Sequence, residues 1–282
     1  MMKKLSIVLL VLLGAFLCAS TVFAWDDLIR LQGGAKIVEQ GTMAGTAVIR
    51  YGSAGDMFDQ DGEKQELADT GTELRIPLWA HYNIINNLGA FAILPIVSMN
   101  KNLTPDGKDN SGIGDIWLGA KYAVMPEGLL TVRGALDIPT GDDEKGLGNA
   151  GGFGIDIAAL TSKKMDKIGL YGGLGIRYNA EDSDTKWQPG LGFYFNGLAS
   201  YAVTEKIPAY LSLTYFNQGD GKFDGNDSKD STVNWLELSL GTHYPVTANF
   251  GAIIDLEYKL MGANTPADFG IFVGVGYKFS KK

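Results

Sequence analysis

The chain has 282 residues, 24 Lys and Arg against 32 Asp and Glu, a formal charge of −8, one cysteine and 38 glycines. An acidic balance argues against a nucleic-acid partner, which would need a basic face, and a lone cysteine excludes a disulfide framework. Glycine at about twice its usual share of roughly 7%, in a cysteine-poor acidic chain, suits a β-barrel.

Residues 1–24 read as a cleaved signal peptide. Lys3 and Lys4 form the positive n-region, residues 5–17 the apolar h-region, and Val22-Phe23-Ala24 the small-residue cleavage site. The apolar run is short for a membrane span of about 20 residues. A lipoprotein signal at Cys18 fits poorly, because Phe16 and Leu17 stand where small residues are wanted. Cleavage after Ala24 removes Lys3, Lys4 and Cys18, so the exported chain starts at Trp25 with a formal charge of −10 and no thiol. No later stretch carries the ~18 consecutive apolar residues of a membrane helix.

Residues 25–41 (WDDLIRLQGGAKIVEQG) do not alternate. They are expected to form a short N-terminal segment, periplasmic or inserted in a lumen; alternatively, part of it is an extra strand. From Thr42 to the C-terminus short two-faced strands follow one another, separated by two kinds of connection. The short ones are 85–87, 125–128, 162–166, 204–207 and 245–248; the long ones are 52–71, 99–111, 139–151, 180–188, 218–232 and 260–267. They alternate strictly, the known asymmetry of periplasmic turns and extracellular loops. Six long and five short connections imply twelve strands. The fold class is therefore all-β, a transmembrane antiparallel up-and-down barrel of about twelve strands over residues 42–282.

One parity of every strand is apolar and free of charge: Ile49 and Tyr51, Leu74 to Tyr82, Leu118 to Tyr122, Val132 and Leu136, Ile155 and Ile157, Leu170 to Tyr178, Phe193 and Phe195, Leu211 to Tyr215, Leu236 to Leu240, Ala252 to Tyr258. A Lys or Arg at the bilayer midplane costs roughly 2–4 kcal/mol, so a charge-free row is what lipid requires. Tyr82, Tyr122, Tyr201, Tyr244 and Tyr277 end strands running down to short turns or the C-terminus, and Tyr51, Tyr178, Tyr215 and Tyr258 end strands running up. Two aromatic girdles result, one per interface. A soluble sandwich would also alternate, but has no reason to put tyrosine at both rims of its buried face. In the last strand Phe269, Ile271, Val273, Val275, Tyr277 and Phe279 share one face. Its ending, Gly274-x-x-Tyr277-x-Phe279, resembles the C-terminal recognition signal of outer-membrane barrels, which implies the barrel-assembly machinery as a partner.

Two places depart from the pattern. Residues 88–97 (LGAFAILPIV) are apolar on both faces, and the inner face is expected to pack on Leu28, Ile29 and Leu31 of the N-terminal segment. Pro77 and Pro95 fall inside strands and imply a bulge or break, since each lacks a ladder donor.

The opposite parity carries the chemistry. Its bases are Arg50, Arg75, Lys121, Arg133, Arg177, Lys259 and Lys278; its acids are Glu73, Asp115, Asp137, Asp156, Glu237, Asp255 and Glu257. Aromatics share it: Trp79, Trp117, Tyr171, Tyr194, Tyr210, Phe216, Trp235 and Phe272. The candidate solute path comprises Arg75, Trp79, Asp115, Trp117, Lys121, Arg133, Asp156, Arg177, Trp235, Glu237, Asp255 and Glu257. Balanced charge reads either as a constriction that orients a solute's dipole or as a network that neutralises a narrow interior. Rings among charges suit amphipathic or ring-bearing solutes through stacking and cation–π contacts, or simply fill space. Twelve strands lie between the eight that fill with side chains and the sixteen that leave an aqueous channel, so any conduit is narrow.

Hydrolysis is the enzymatic alternative. It fails on spacing: Ser239 shares a face with His243 but lies on the order of 13 Å away along an extended strand, and Ser212 is expected several residues off His243's level. The acidic loops, among them Asp59-x-Asp61-Gly62 and Asp224-x-Asn226-Asp227, lack the full spacing of an EF-hand and read as solvated. No metal or cofactor is expected.

The stretch Gly112-Ile-Gly-Asp115-Ile-Trp117-Leu-Gly-Ala-Lys121-Tyr122, with Asp137-Ile-Pro139-Thr140-Gly141, Gly148 and Gly151-Gly152 after it, resembles the outer-membrane transporter-like family of the MetA pathway of phenol degradation. The resemblance implies a barrel passing aromatic or other hydrophobic compounds. The expectation is an outer-membrane channel for passive passage of small solutes, in contact with outer-membrane lipids. The alternative is an occluded structural or adhesive barrel acting through its acidic loops.

Overall fold

The structure is a computed structural model and describes Ala35, Ile37 and residues 40–148, 152–204 and 207–279. The signal peptide expected at 1–24 lies outside these residues, as do Leu28, Ile29 and Leu31. Among the described residues there are sixteen strands: β1 (Met43–Phe58), β2 (Lys64–Ile85), β3 (Leu88–Met99), β4 (Asn110–Ile113), β5 (Ile116–Met125), β6 (Leu130–Ile138), β7 (Gly154–Met165), β8 (Ile168–Asn179), β9 (Trp187–Gln188), β10 (Gly192–Ala202), β11 (Pro208–Gln218), β12 (Lys222–Phe223), β13 (Asn226–Asp227), β14 (Val233–Pro245), β15 (Phe250–Ala263) and β16 (Thr265–Phe279). β4 and β5 form one stave broken at Gly114–Asp115. β9, β12 and β13 form a small sheet of their own above the rim. The remaining staves number twelve, all antiparallel neighbours, and β1 pairs with both β16 and β2, so the cylinder closes.

Its surface is inverted relative to a water-soluble protein. Leu174 on β8 is 52% exposed, as are most outward Leu, Ile and Val side chains to a similar degree, while Arg133, Lys121 and Asp255 are each 1% exposed. Period-two alternation in a closed sheet sends every second side chain to lipid and the rest to the lumen, with no unpaired edge to satisfy in hydrocarbon.

Two expected long loops are strand. Residues 52–58 and 64–71 continue β1 and β2 to a turn at 59–63, and β15 meets β16 through Asn264 alone. β1 and β16 pair up to Phe58↔Thr265, across a bulge between Ala54 and Asp56. These segments rise above the membrane, where a strand needs no apolar face. A boundary drawn where the lipid row ends therefore stops too early. The turn expected at 162–166 is likewise shorter, since β7 runs to Met165 and reverses at Asp166 and Lys167.

The two in-strand prolines sit opposite each other, Pro77↔Pro95. In an antiparallel pair of this kind each residue's N–H points away, to the other neighbour. The breaks follow. β1–β2 pairing skips the rungs between Ala47↔Leu78 and Arg50↔Arg75, and β3 changes partner from β5 to β4 at Pro95, whose carbonyl accepts from Gly114 N at 2.9 Å.

The inward apolar face of β3 finds its partners within the barrel. Phe91 and Ile93 pack with Ala135, Trp79 and Trp117, and Val97 and Met99 pack with Leu103 and Leu147 of the long loops.

Candidate functional site: the barrel lumen

Most of the ionisable side chains described in the lumen fall on two opposed walls. One spans β2, β1, β16 and β15. Arg50 is its hub: Nε lies 2.7 Å from Glu257, Nη2 2.6 Å from Asp268 and Nη1 3.5 Å from Glu73. Lys259 reaches the other oxygen of Asp268 at 2.9 Å, and Arg75 pairs with Glu73. The register explains the convergence, since Arg50 opposes Arg75 on β2 and Phe272 on β16, and Glu257 opposes Gly270 on β15–β16. Gly270 leaves room between these heads: a Cβ there would lie 3.0 Å from Glu257 Oε2.

The second wall spans β5, β6, β7, β8 and β10. Arg133 donates to Asp156 at 2.5 Å and to the Tyr194 hydroxyl, which in turn donates to Asp156 at 2.9 Å. Arg177 pairs with Asp137, donates to Asn179 Oδ1 at 3.2 Å, and lays its guanidinium 4.6 Å from the Trp117 ring centroid. The ring's negative face adds to what Asp137 supplies.

Between the walls the lumen is aromatic or aliphatic. Trp79 lies in the Phe91–Ile93–Trp117 cluster on β2, β3 and β5. Opposite, Trp235 stacks on Phe216 at 5.7 Å and 27°, with Lys259 Nζ 5.8 Å from its centroid. Nearer the end with the termini, Val48, Leu198, Tyr210 and Ile253 form an apolar layer with Tyr171 and Phe272 against it. Ala35 enters the same end of the lumen. It packs on Ala158, Leu160 and Tyr194, and its carbonyl accepts from Thr131 Oγ1. That places one residue of the N-terminal segment inside the barrel.

The twelve candidate path residues thus divide. Arg75, Trp79, Trp117, Arg133, Asp156, Arg177, Trp235 and Glu257 belong to the walls and the rings between them. Glu237 stands at the β14 bulge next to Leu236, half-buried. The other three are buried, as Arg133 and Asp156 are. Asp115 is buried and accepts from the Thr140 and Gly141 amides at 3.1 and 2.9 Å, pinning the loop after β6; Thr140 Oγ1 closes the link by donating to Gly114 O. Asp255 accepts from the Tyr210 hydroxyl at 2.8 Å, and Lys121 is buried toward the short-turn end.

Asp268 was not among the acids expected in the lumen, although it bridges Arg50 and Lys259. Its signal was available: it shares parity with Gly270, Gly274 and Lys278. Ser212 and Ser239 face each other in register with their hydroxyls 2.6 Å apart, four residues along β14 from His243. The hydroxyls bond each other at that level.

The sequence matches the family described as "Putative MetA-pathway of phenol degradation" over residues 37–279. No curated protein matches it. Among solved structures, an outer membrane channel from Pseudomonas putida F1 superposes with a TM-score of 0.74 at 18% identity, covering 92% of this chain and 100% of that one. The translocator domain of the autotransporter NalP from Neisseria meningitidis gives 0.53 at 14% identity, covering 89% and 93%. At such identities the likeness speaks to the fold.

Proposed function

The chain belongs to the family of the MetA pathway of phenol degradation, and from that premise we propose that it is an outer-membrane channel for passive passage of small solutes, aromatic and amphipathic compounds in particular. The observation that carries this reading is a lumen with accessible chemistry at mid-height. Trp79, Trp117, Trp235 and Phe272 all point inward yet keep part of their surface open, and the Arg75 side chain is 49% exposed. A lumen serving only to fill a small cylinder would cover these groups. Passage calls for contacts strong enough to admit a solute and weak enough to release it, and rings beside largely neutralised charges fit that demand. The Pseudomonas putida protein of similar fold, described as an outer membrane channel, is consistent with the reading. On it, outer-membrane lipids cover the apolar belt, the barrel-assembly machinery reads the last strand, and the lumen does no catalysis.

A second reading, an occluded barrel acting through its acidic loops, draws support from the apolar layer around Val48, Tyr210 and Ile253 and from Ala35 within the lumen. Planar-bilayer recordings and liposome swelling on the detergent-folded protein separate the two. The channel reading expects discrete conductance steps and swelling in small solutes. It also expects Trp117→Ala to slow aromatic solutes more than it lowers salt current. No steps and no swelling would leave the occluded reading in place.

A further inference from the structure

Resting on the channel reading, we propose that β10, β11 and β14 carry a subsite for uncharged solutes with a hydroxyl beside an aromatic ring, the ring lying against Phe216 and Trp235 and the hydroxyl bonding the Asn196–Thr214 pair. Register builds it. Tyr194, Phe216 and Trp235 share one rung, since Tyr194 opposes Phe216 on β10–β11 and Phe216 opposes Trp235 on β11–β14. Asn196, Thr214 and Glu237 share the next rung toward the short-turn end, two residues along each strand and on the same face. Two residues of extended chain span about 7 Å. The rings leave the polar rung open. Tyr194 lies sideways over Gly175, where a Cβ would strike its ring, and Arg133 and Asp156 hold it there. Phe216 rises toward Gly192, its Cε2 3.5 Å from where a Cβ would stand, and stacks on Trp235. Asn196 and Thr214 stay half-exposed below these rings, and buried Leu198 of the apolar layer bounds the place one rung further down.

The chemistry of the polar rung selects the solute. On the two walls the polar heads are mostly ions engaged with one another, and a neutral hydroxyl there competes with charge-assisted bonds. Here the bond joins neutral groups: Asn196 Nδ2 donates to Thr214 Oγ1 at 3.1 Å. The amide oxygen can still accept, and the threonine hydroxyl can still donate its own hydrogen. Among the described residues neither function is taken up. A solute hydroxyl offers what both lack, a hydrogen for Asn196 Oδ1 and an oxygen for the Thr214 hydroxyl. The rung spacing suits it, because about 7 Å is close to the reach of a benzyl-type alcohol plus one hydrogen bond of about 2.8 Å. A carboxylate in the same place has no hydrogen for Asn196 and lies beside Glu237, which opposes Thr214 on β14. A ring without a polar group leaves both functions unpaired.

The test uses the full-length protein refolded in detergent, and reads quenching of its tryptophan fluorescence by 4-nitrobenzyl alcohol, 4-nitrotoluene and 4-nitrobenzoate. The variants Thr214→Val, Thr214→Ser and Phe216→Leu keep all five tryptophans, Trp235 among them, and the folding of each is checked by its gel shift on heating. Thr214→Val should weaken the apparent affinity for 4-nitrobenzyl alcohol about fivefold, the size of one neutral hydrogen bond, and leave 4-nitrotoluene unchanged. Thr214→Ser should keep the wild-type affinity, since it keeps the hydroxyl. Phe216→Leu should weaken the alcohol and 4-nitrotoluene alike. In the wild type 4-nitrobenzoate should bind less tightly than the alcohol. Planar-bilayer recordings on the same preparations separate this proposal from the channel reading. Conductance steps together with an alcohol affinity equal in wild type and Thr214→Val, or with 4-nitrobenzoate bound most tightly, overturn the subsite and leave the channel standing. Quenching that depends on Thr214 in a protein giving no steps supports the subsite and overturns passage.

Discussion

The Arg133–Asp156 pair offers a quantitative test of the lumen's architecture. Its side chains are 1% and 3% exposed, their contact is 2.5 Å, and Tyr194 bonds both. Removing either charge alone leaves the other buried without its partner, which costs roughly 3–5 kcal/mol. Replacing both at once, Arg133→Met with Asp156→Leu, removes the desolvation of two ions together with their attraction, and such swaps are often near neutral. The double variant should therefore be more stable than either Asp156→Leu or Arg133→Met alone. The coupling between the two sites should reach a few kcal/mol. Urea unfolding in micelles, followed by tryptophan fluorescence, reads this directly. With a slope of about 2 kcal/mol per M, each single variant should move the midpoint down by roughly 2 M and the double variant by much less. Additive shifts, with the double variant the least stable of the three, would refute a paired and buried arrangement.

Three further outcomes follow from the geometry. A Cβ at Gly175 would collide with the Tyr194 ring, so Gly175→Ala should push Tyr194 off Arg133 and Asp156 and lower stability by about 1–3 kcal/mol; an unchanged urea midpoint would contradict this. Asp115→Ala orphans the Thr140 and Gly141 amides, at about 1–3 kcal/mol for each buried group left unpaired. The segment 140–148 should then exchange amide hydrogens and yield to protease faster, while β5 and β6 stay protected. In the loop after β8, hydrogen bonds from the Thr185 amide and hydroxyl hold the Asp182 carboxyl below its ordinary value of 3.8. A folded-state value below the unfolded one means the contribution is present above that ordinary value and is lost as pH falls through the lowered one. The protection of the Thr185 amide, its exchange measured against the intrinsic rate at each pH, should fall on acidification in that range, and Asp182→Asn should abolish that loss.

Much of this barrel was legible in the sequence because lipid imposes a simple rule on each stave. One side chain in two must be apolar, and tyrosine collects where hydrocarbon meets water. That rule located twelve staves, the girdles and the lumen side of Arg133, Asp156 and Arg177. It had nothing to say above the membrane, where β1, β2, β15 and β16 continue without an apolar row. By that rule residues 52–71 and 260–267 look like loops, although most of them are strand. Parity also shows which way a side chain points, but not what it touches. Asp115 points inward and is spent on loop amides, and Asp268 is hidden at the opening of a strand whose pattern is dominated by its greasy face. The register that brings Arg50 to Glu257 and Asp268 depends on stagger between strands far apart in sequence, which no local pattern encodes. The two facing prolines illustrate the same limit: each predicted a break, but only their pairing shows that the breaks fall on opposite sides.

Alternate side chains of this barrel face acyl chains around a closed cylinder, with the charges inside. Single-cysteine spin labels placed in turn at positions 170 through 178 of β8, in liposomes, test it most directly. Accessibility to lipid-soluble oxygen should peak at 170, 174, 176 and 178, and accessibility to a water-soluble nickel chelate should be greatest at 171 and 177, giving a period of two with the two profiles out of phase. Profiles that rise and fall together along the strand, or a label at 177 that meets oxygen as freely as one at 176, would contradict it.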